Sequence, residues 1–130
     1  MIEIFDKKGF TRVLLLEADS LVGAKLSDAD LREANLVQMD LSHADLSQAD
    51  LAHADLRLAK LDTTDLSRAN LSHADLSGAN LTRANLGDAN LDGTQMHGAI
   101  LTGTVLPPGY LKAGVFPPVS IKVVQEPPGK

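Results

Sequence analysis

The sequence predicts an all-β solenoid, a chain wound into a parallel β coil, and three observations carry that expectation. Leucine recurs every fifth residue from Leu21 to Leu106, eighteen positions interrupted only by Met96. Alanine fills thirteen of the positions two residues earlier, and Asp or Asn fills twelve of those one residue earlier. The period stops where proline begins, all six prolines lying at or beyond Pro107. A repeat of this regularity decides architecture before local propensity does.

A helix cannot use the spacing. Five residues at ~100° each turn the chain by ~500°, so successive leucines sit ~140° apart and no apolar stripe forms. A straight strand fails as well, because an odd spacing sends successive leucines to opposite faces. One bend per repeat removes both conflicts. Leucine and the alanine two before it then point inward, and the residue between them points out. The two residues after leucine form the corner, where small polar residues and glycine are frequent: Ser42, Ser47, Ser67, Gly78, Gly87, Gly93. These are turn formers. Bends of one sense stack the coils as short parallel strands that satisfy one another's backbone groups. Right-handed winding is expected for parallel crossovers. The number of sides is left open by the spacing.

The ends differ from the middle. Residues 1–17 read as a β cap: Ile2 and Ile4 alternate with Glu3, Lys7–Gly9 form a turn, and Val13–Leu16 return as a second strand. A cap is required because a solenoid otherwise exposes unpaired edges. Residues 18–106 are the coil. Residues 107–130 form a Pro-rich segment with Pro-Pro pairs at 107–108, 117–118 and 127–128. Proline lacks a ladder donor and ends the coil. The apolar stretch Val119–Val124 has two readings. It belongs to a cap over the last coil, or Ile121, Val123 and Val124 associate with a second copy to make a homodimer.

The run ADLSQ, ADLAH, ANLSH, ADLSG, ANLTR, ANLGD resembles the pentapeptide-repeat family over about residues 18–106. The resemblance implies a right-handed, four-sided parallel β-helix with four repeats per coil. Eighteen repeats then make about four and a half coils, a rod of roughly 22 Å at ~4.8 Å per coil. It also implies that residues twenty apart stack in columns.

Composition narrows function. The chain has no cysteine and no Trp, and its net charge is −5. Thiolate metal sites and disulfides are thereby excluded. Residues 18–106 hold thirteen acids against six bases. Direct nucleic-acid binding through phosphates is not expected, and a basic protein surface is the better partner. No signal-type apolar segment and no ~18-residue apolar run is present, so a cytoplasmic protein with no membrane contact is expected.

No nucleophile–base pair, phosphate loop or metal motif stands out. A shaft filled with Leu and Ala offers no concave site, so neither an enzyme nor a cofactor is expected. His53 and His73 share a corner column with Glu33, yet ligands along a straight ladder do not converge on a metal. The stacks Asp30/Asp50, Asp45/Asp65 and Asp55/Asp75 place like charges one strand apart, which is unfavourable. The structural explanation is that Asp and Asn bond nearby backbone. The functional one is an acidic partner-contact surface. Arg57, Leu58 and Lys60 lie in the least regular stretch and are a second candidate contact, with Lys60 set above Asp40. The expected function is a non-enzymatic structural or protein-interaction module. The alternative implied by the resemblance is a DNA mimic that binds and inhibits or protects DNA gyrase or another topoisomerase. Against it stand the few phenylalanines, none at a leucine position, and the short rod.

Overall fold

A computed structural model describes residues 1–110 of the chain. Strand β1 (Ile2–Phe5) pairs antiparallel with β2 (Arg12–Leu16), matching Ile2 to Leu16 and Ile4 to Leu14. The connecting turn is tied by Asp6, whose Oδ1 accepts the amides of Phe10 and Thr11 at 2.9 and 3.3 Å. This hairpin docks on the coil edge. The Asn35 amide donates to the Phe5 carbonyl at 2.8 Å, and the Lys7 amide donates to that of Glu33 at 2.9 Å. Ile4 is buried, and Ile2, Val13, Leu14 and Leu16 pack against the end of the leucine core.

From Lys25 to Val105 each residue preceding a leucine forms a parallel bridge with its counterpart twenty positions away, as in Lys25–Asp45, Asp45–Asp65, Asp65–Asn85 and Asn85–Val105. Two bonds hold each bridge. The Leu26 amide donates to the Asp45 carbonyl at 2.8 Å, and the Asp45 amide donates to that of Ala24 at 2.9 Å. Each corner closes with a third bond, such as the Ala29 amide to the Leu26 carbonyl at 3.1 Å. The leucines from Leu31 to Leu86 are essentially sealed from solvent, as are most of the alanines two before them.

The corner chemistry is more specific than small size and polarity. The second corner residue takes positive φ throughout, at Gly23, Gly78, Gly93, Gly98 and Gly103 and at twelve non-glycine residues from Asp28 to Asp88. Ser42, Ser47, Ser67 and Gly87 occupy the first corner position, which does not require it. The third residue of such a turn must be left-handed, the arrangement of a type II turn.

Three interior positions carry threonine in place of alanine. The Oγ1 atoms of Thr64, Thr94 and Thr104 donate to the carbonyls of Leu41, Leu71 and Leu81 at 2.8, 2.7 and 2.7 Å. Each of these carbonyls already accepts a corner amide, so the hydroxyl fills its second lone pair. At the far end Pro107–Tyr110 makes one more turn, with Gly109 at φ 81° and the Tyr110 amide donating to the Pro107 carbonyl at 3.1 Å. It starts one residue later than the leucine-to-alanine corners do, so the five-residue register is lost here. Tyr110 packs partly buried against the core. Ile121, Val123 and Val124 lie outside the described residues.

Candidate functional site

With leucine and alanine inside, the outward residue before each leucine forms the main surface of every face. Its geometry is set locally. All twelve Asp and Asn residues at this position accept, through Oδ1, the backbone amide two residues on. This Asx turn orients the corner and explains why Asp and Asn predominate there. Asparagine serves it as well as aspartate does, so the bond alone does not demand a charge.

The three predicted acid stacks are real neighbours, bridged as Asp30–Asp50, Asp45–Asp65 and Asp55–Asp75. Two hold an arginine and the third serine hydroxyls. Arg32 binds Asp30 with two contacts of 2.8 and 2.7 Å and reaches Asp50 at 3.8 Å. Arg57 grips Asp55 in the same forked way at 2.9 and 2.8 Å. The Asp45 and Asp65 carboxylates instead accept the hydroxyls of Ser47 and Ser67, each at 2.6 Å. At Asp30, Asp45 and Asp55 these partners stabilise the ionised form. The Arg32 side chain, then its amide, pulls the Asp30 carboxyl down to about 2. Asp55 is lowered chiefly by Arg57, and Asp45 by the Ser47 hydroxyl and amide.

Along any face the acids do not run far. Reading up the four columns gives Lys25, Asp45, Asp65, Asn85, Val105; Asp30, Asp50, Asn70, Asn90; Asn35, Asp55, Asp75, Gln95; and Asp40, Lys60, Asn80, Ile100. No column holds more than two consecutive carboxylates.

The irregular stretch is divided by the fold. Arg57 and Leu58 form one corner, while Lys60 lies beyond it on the next face. Arg57 is engaged by Asp55. Leu58 is 55% exposed and leans towards Gly78, where a Cβ would meet its Cδ2 at 2.7 Å. Lys60 and Asp40 are bridge neighbours, as their stacking implies, but their side chains form no ion pair. Asp40 uses Oδ1 for the Ser42 amide and hydroxyl at 3.1 and 2.6 Å, and Lys60 adds only a longer-range attraction. Sequence reasoning missed the Ser42 hydroxyl, which also contacts Asp62 Oδ1 on the next coil at 2.7 Å. The twenty-residue spacing of Ser42 and Asp62 was the available signal.

His53 and His73 stack with ring centroids 5.0 Å apart and planes 14° from parallel. Parallel rings send their in-plane nitrogen lone pairs into separate planes. Among the described residues no cluster of three or more His, Cys, Asp or Glu side chains has metal-binding geometry. Likewise, no described helix is long and apolar enough to cross a membrane.

The repeat is matched by a family model described as pentapeptide repeats in eight copies, over residues 20–62 and 64–105. The chain belongs to the pentapeptide-repeat family. Its fold is that family's right-handed β-helix. Among solved structures, Rfr23 from the cyanobacterium Cyanothece 51142 is 35% identical, with a TM-score of 0.51 over 71% of this chain and 67% of that one. A pentapeptide-repeat protein from Nostoc PCC 7120 is 36% identical over 78% of this chain and 84% of that one, with a TM-score of 0.49. HetL of Nostoc sp. strain PCC 7120, described as involved in the regulation of heterocyst differentiation, is 33% identical, with a TM-score of 0.36. The alignment covers 66% of this pentapeptide-repeat chain and 54% of HetL. No curated protein shows significant sequence similarity to the chain.

Proposed function

We propose that this pentapeptide-repeat protein is a non-enzymatic interaction module of the cytoplasm, which offers its outward carboxylates to a basic protein partner. In this reading residues 1–17 cap a rod of about four and a half four-sided coils over 18–106, and 107–130 form the second end. The supporting observation is the choice of aspartate over asparagine. Both satisfy the Asx turn, yet Asp holds seven of the twelve sites, concentrated at Asp40, Asp45, Asp50, Asp55 and Asp65. Charge beyond what the fold requires supports a role in recognition, through steering and complementarity.

The same logic supplies the test. Replacing Asp40, Asp45, Asp50 and Asp65 together by Asn keeps the turn bond and removes the charge. Affinity capture from source cells with wild type and variant, at equal melting temperature, should show a basic protein retained only by wild type and released by ~0.5 M salt, where the Debye length has fallen to roughly 4 Å. A partner held equally by both proteins would refute an acidic contact surface.

The gyrase-directed DNA mimic is the less supported reading. A mimic of the phosphate backbone needs carboxylates continuing along a face, and here each run ends after two coils. A gyrase supercoiling assay decides it: no inhibition and no protection from a quinolone is expected at a hundredfold molar excess.

A further inference from the structure

One face of the coil departs from the acidic pattern. It runs through residues 20–22, 38–42, 58–62, 78–82 and 98–102, each step of twenty climbing one level of the rod. Among the described residues the coil has four exposed large apolar side chains, and three belong to this face: Val22, Leu58 and Ile100. Gly78 and Gly98 leave its edge bare beyond Leu58. Its one base, Lys60, is exposed and pairs with no carboxylate among the described residues. One level below, Asp40 bridges Lys60 through the backbone but makes no bridge to Ser20. The ladder is open there, and a hollow of about 350 Å³ lies between the hairpin and the coil, with Met1, Ile2, Leu21 and Met39 as its apolar wall. Met39 stands where most repeats carry alanine. The face therefore has an apolar projection, Ile100, at its head and an apolar hollow at its foot. Between them lie a lone cation and an acid, one level apart.

We propose that this face joins two copies of the chain, laid antiparallel about a two-fold axis that crosses it between the Asp40 and Lys60 levels. Charge selects the register. Such an axis sets Lys60 against the partner's Asp40, and Asp40 against the partner's Lys60, so one contact is made twice. Moving the axis half a level either way would oppose Asp40 to itself or Lys60 to itself. The same register then settles the ends. It exchanges the level of Asn80 with that of Ser20, and the level of Ile100 with the hairpin beneath Ser20. Ile100 thereby meets the partner's hollow, whose apolar wall suits its side chain, and Leu58 lies across the partner's Gln38. A single side of a rod roughly 22 Å long hides less than the ~1,200 Å² of a stable complex, so the dimer is a weak one. A different protein on this face would need no such match between its two ends.

Sedimentation equilibrium of the full chain tests this, with the mass expected to rise towards twice the monomer's as concentration approaches ~1 mM. Asp40→Lys alone and Lys60→Asp alone should each stay monomeric, because like charges then face each other. Both residue types already occupy this position elsewhere, at Lys25 and Asp50, so the coil accepts either. An equimolar mixture of the two variants should dimerise as the wild type does, since both contacts become opposite pairs again. A mixture that stays monomeric, or a single variant that dimerises like the wild type, overturns the proposal. A wild type that is monomeric at ~1 mM also overturns it, in favour of a different protein on this face. The three methionines give an independent measure, Met1 and Met39 lining the hollow and Met96 sealed in the shaft. On dilution the methyl resonances of Met1 and Met39 should move while that of Met96 stays, and Ile100→Asp should abolish the movement. Methyl resonances of Met1 and Met39 that ignore dilution, or that still move with Ile100→Asp, overturn the proposal.

Discussion

At the scale of single residues, the shaft tolerates a polar group only where a carbonyl lone pair waits for it. Thr64 is buried, and its hydroxyl donates to Leu41 across one coil at 2.8 Å. Thr64→Val keeps the shape and removes that bond. The Leu41 carbonyl still accepts the Ala44 amide, so no buried acceptor is stranded. The expected loss is therefore a single bond, about 1 kcal/mol in a urea titration. Its neighbour gives the opposite sign. Thr63 is an exposed β-branched residue held at φ 59°, a conformation that costs an L-residue ~1–2 kcal/mol and that Asn tolerates better. Thr63→Asn should raise stability by about 0.5–1 kcal/mol. A midpoint that does not move would mean that the stacked corner compensates the strain.

At the scale of one corner column, the side chains lean towards the next coil, and glycine makes the room. His73 rests on His53 on one side, and on the other it lies where a Gly93 Cβ would come within 2.5 Å of its Nδ1. Gly93→Ala then suffers twice, through φ 70° and through the imidazole. With His73→Ala in the background only the backbone cost remains, which twelve other corners already bear. A double-mutant cycle should give a coupling of at least about 0.5 kcal/mol between positions 73 and 93. Additive effects would show that the ring yields freely. Much of this element was legible in sequence. The leucine period excluded helix and straight strand, and five of the six glycines between 18 and 106, namely Gly23, Gly78, Gly93, Gly98 and Gly103, share the position that proves left-handed. Gly87, the sixth, blurred that signal. Harder to read was the contact surface. The Asx turn selects Asp and Asn for a local reason, so selection for a partner and selection for the fold write the same letters. Arg57 shows the limit: it looked like a free contact residue, and its guanidinium is committed to Asp55.

For the whole molecule, two electrostatic effects oppose each other as pH falls. Protonation relieves the mutual repulsion of an acidic rod, and it also removes the acceptors that Arg32, Arg57, Ser42 and Ser47 serve. The direction of the carboxylate shifts decides between them. Asp30 is lowered to about 2, and Asp40, Asp45 and Asp55 also titrate below their ordinary value of 3.8. A group with a folded pKa below its unfolded one leaves the unfolded chain with more bound protons between the two values. Acidification across that interval therefore favours unfolding. Stability should be level above about pH 5 and fall progressively from about pH 4 towards 2. Because Asp30 and Asp40 are exposed and Asp45 and Asp55 only partly buried, the fall should be gradual and shallower in high salt. Melting temperatures of the full chain at pH 7, 4 and 2.5 measure it. The variant Asp30→Asn, Asp40→Asn, Asp45→Asn, Asp55→Asn retains the turn acceptors but cannot titrate, so its acid slope should be visibly flatter. A wild-type melting temperature that climbs on acidification would show that repulsion along the faces outweighs the bonds which orient them.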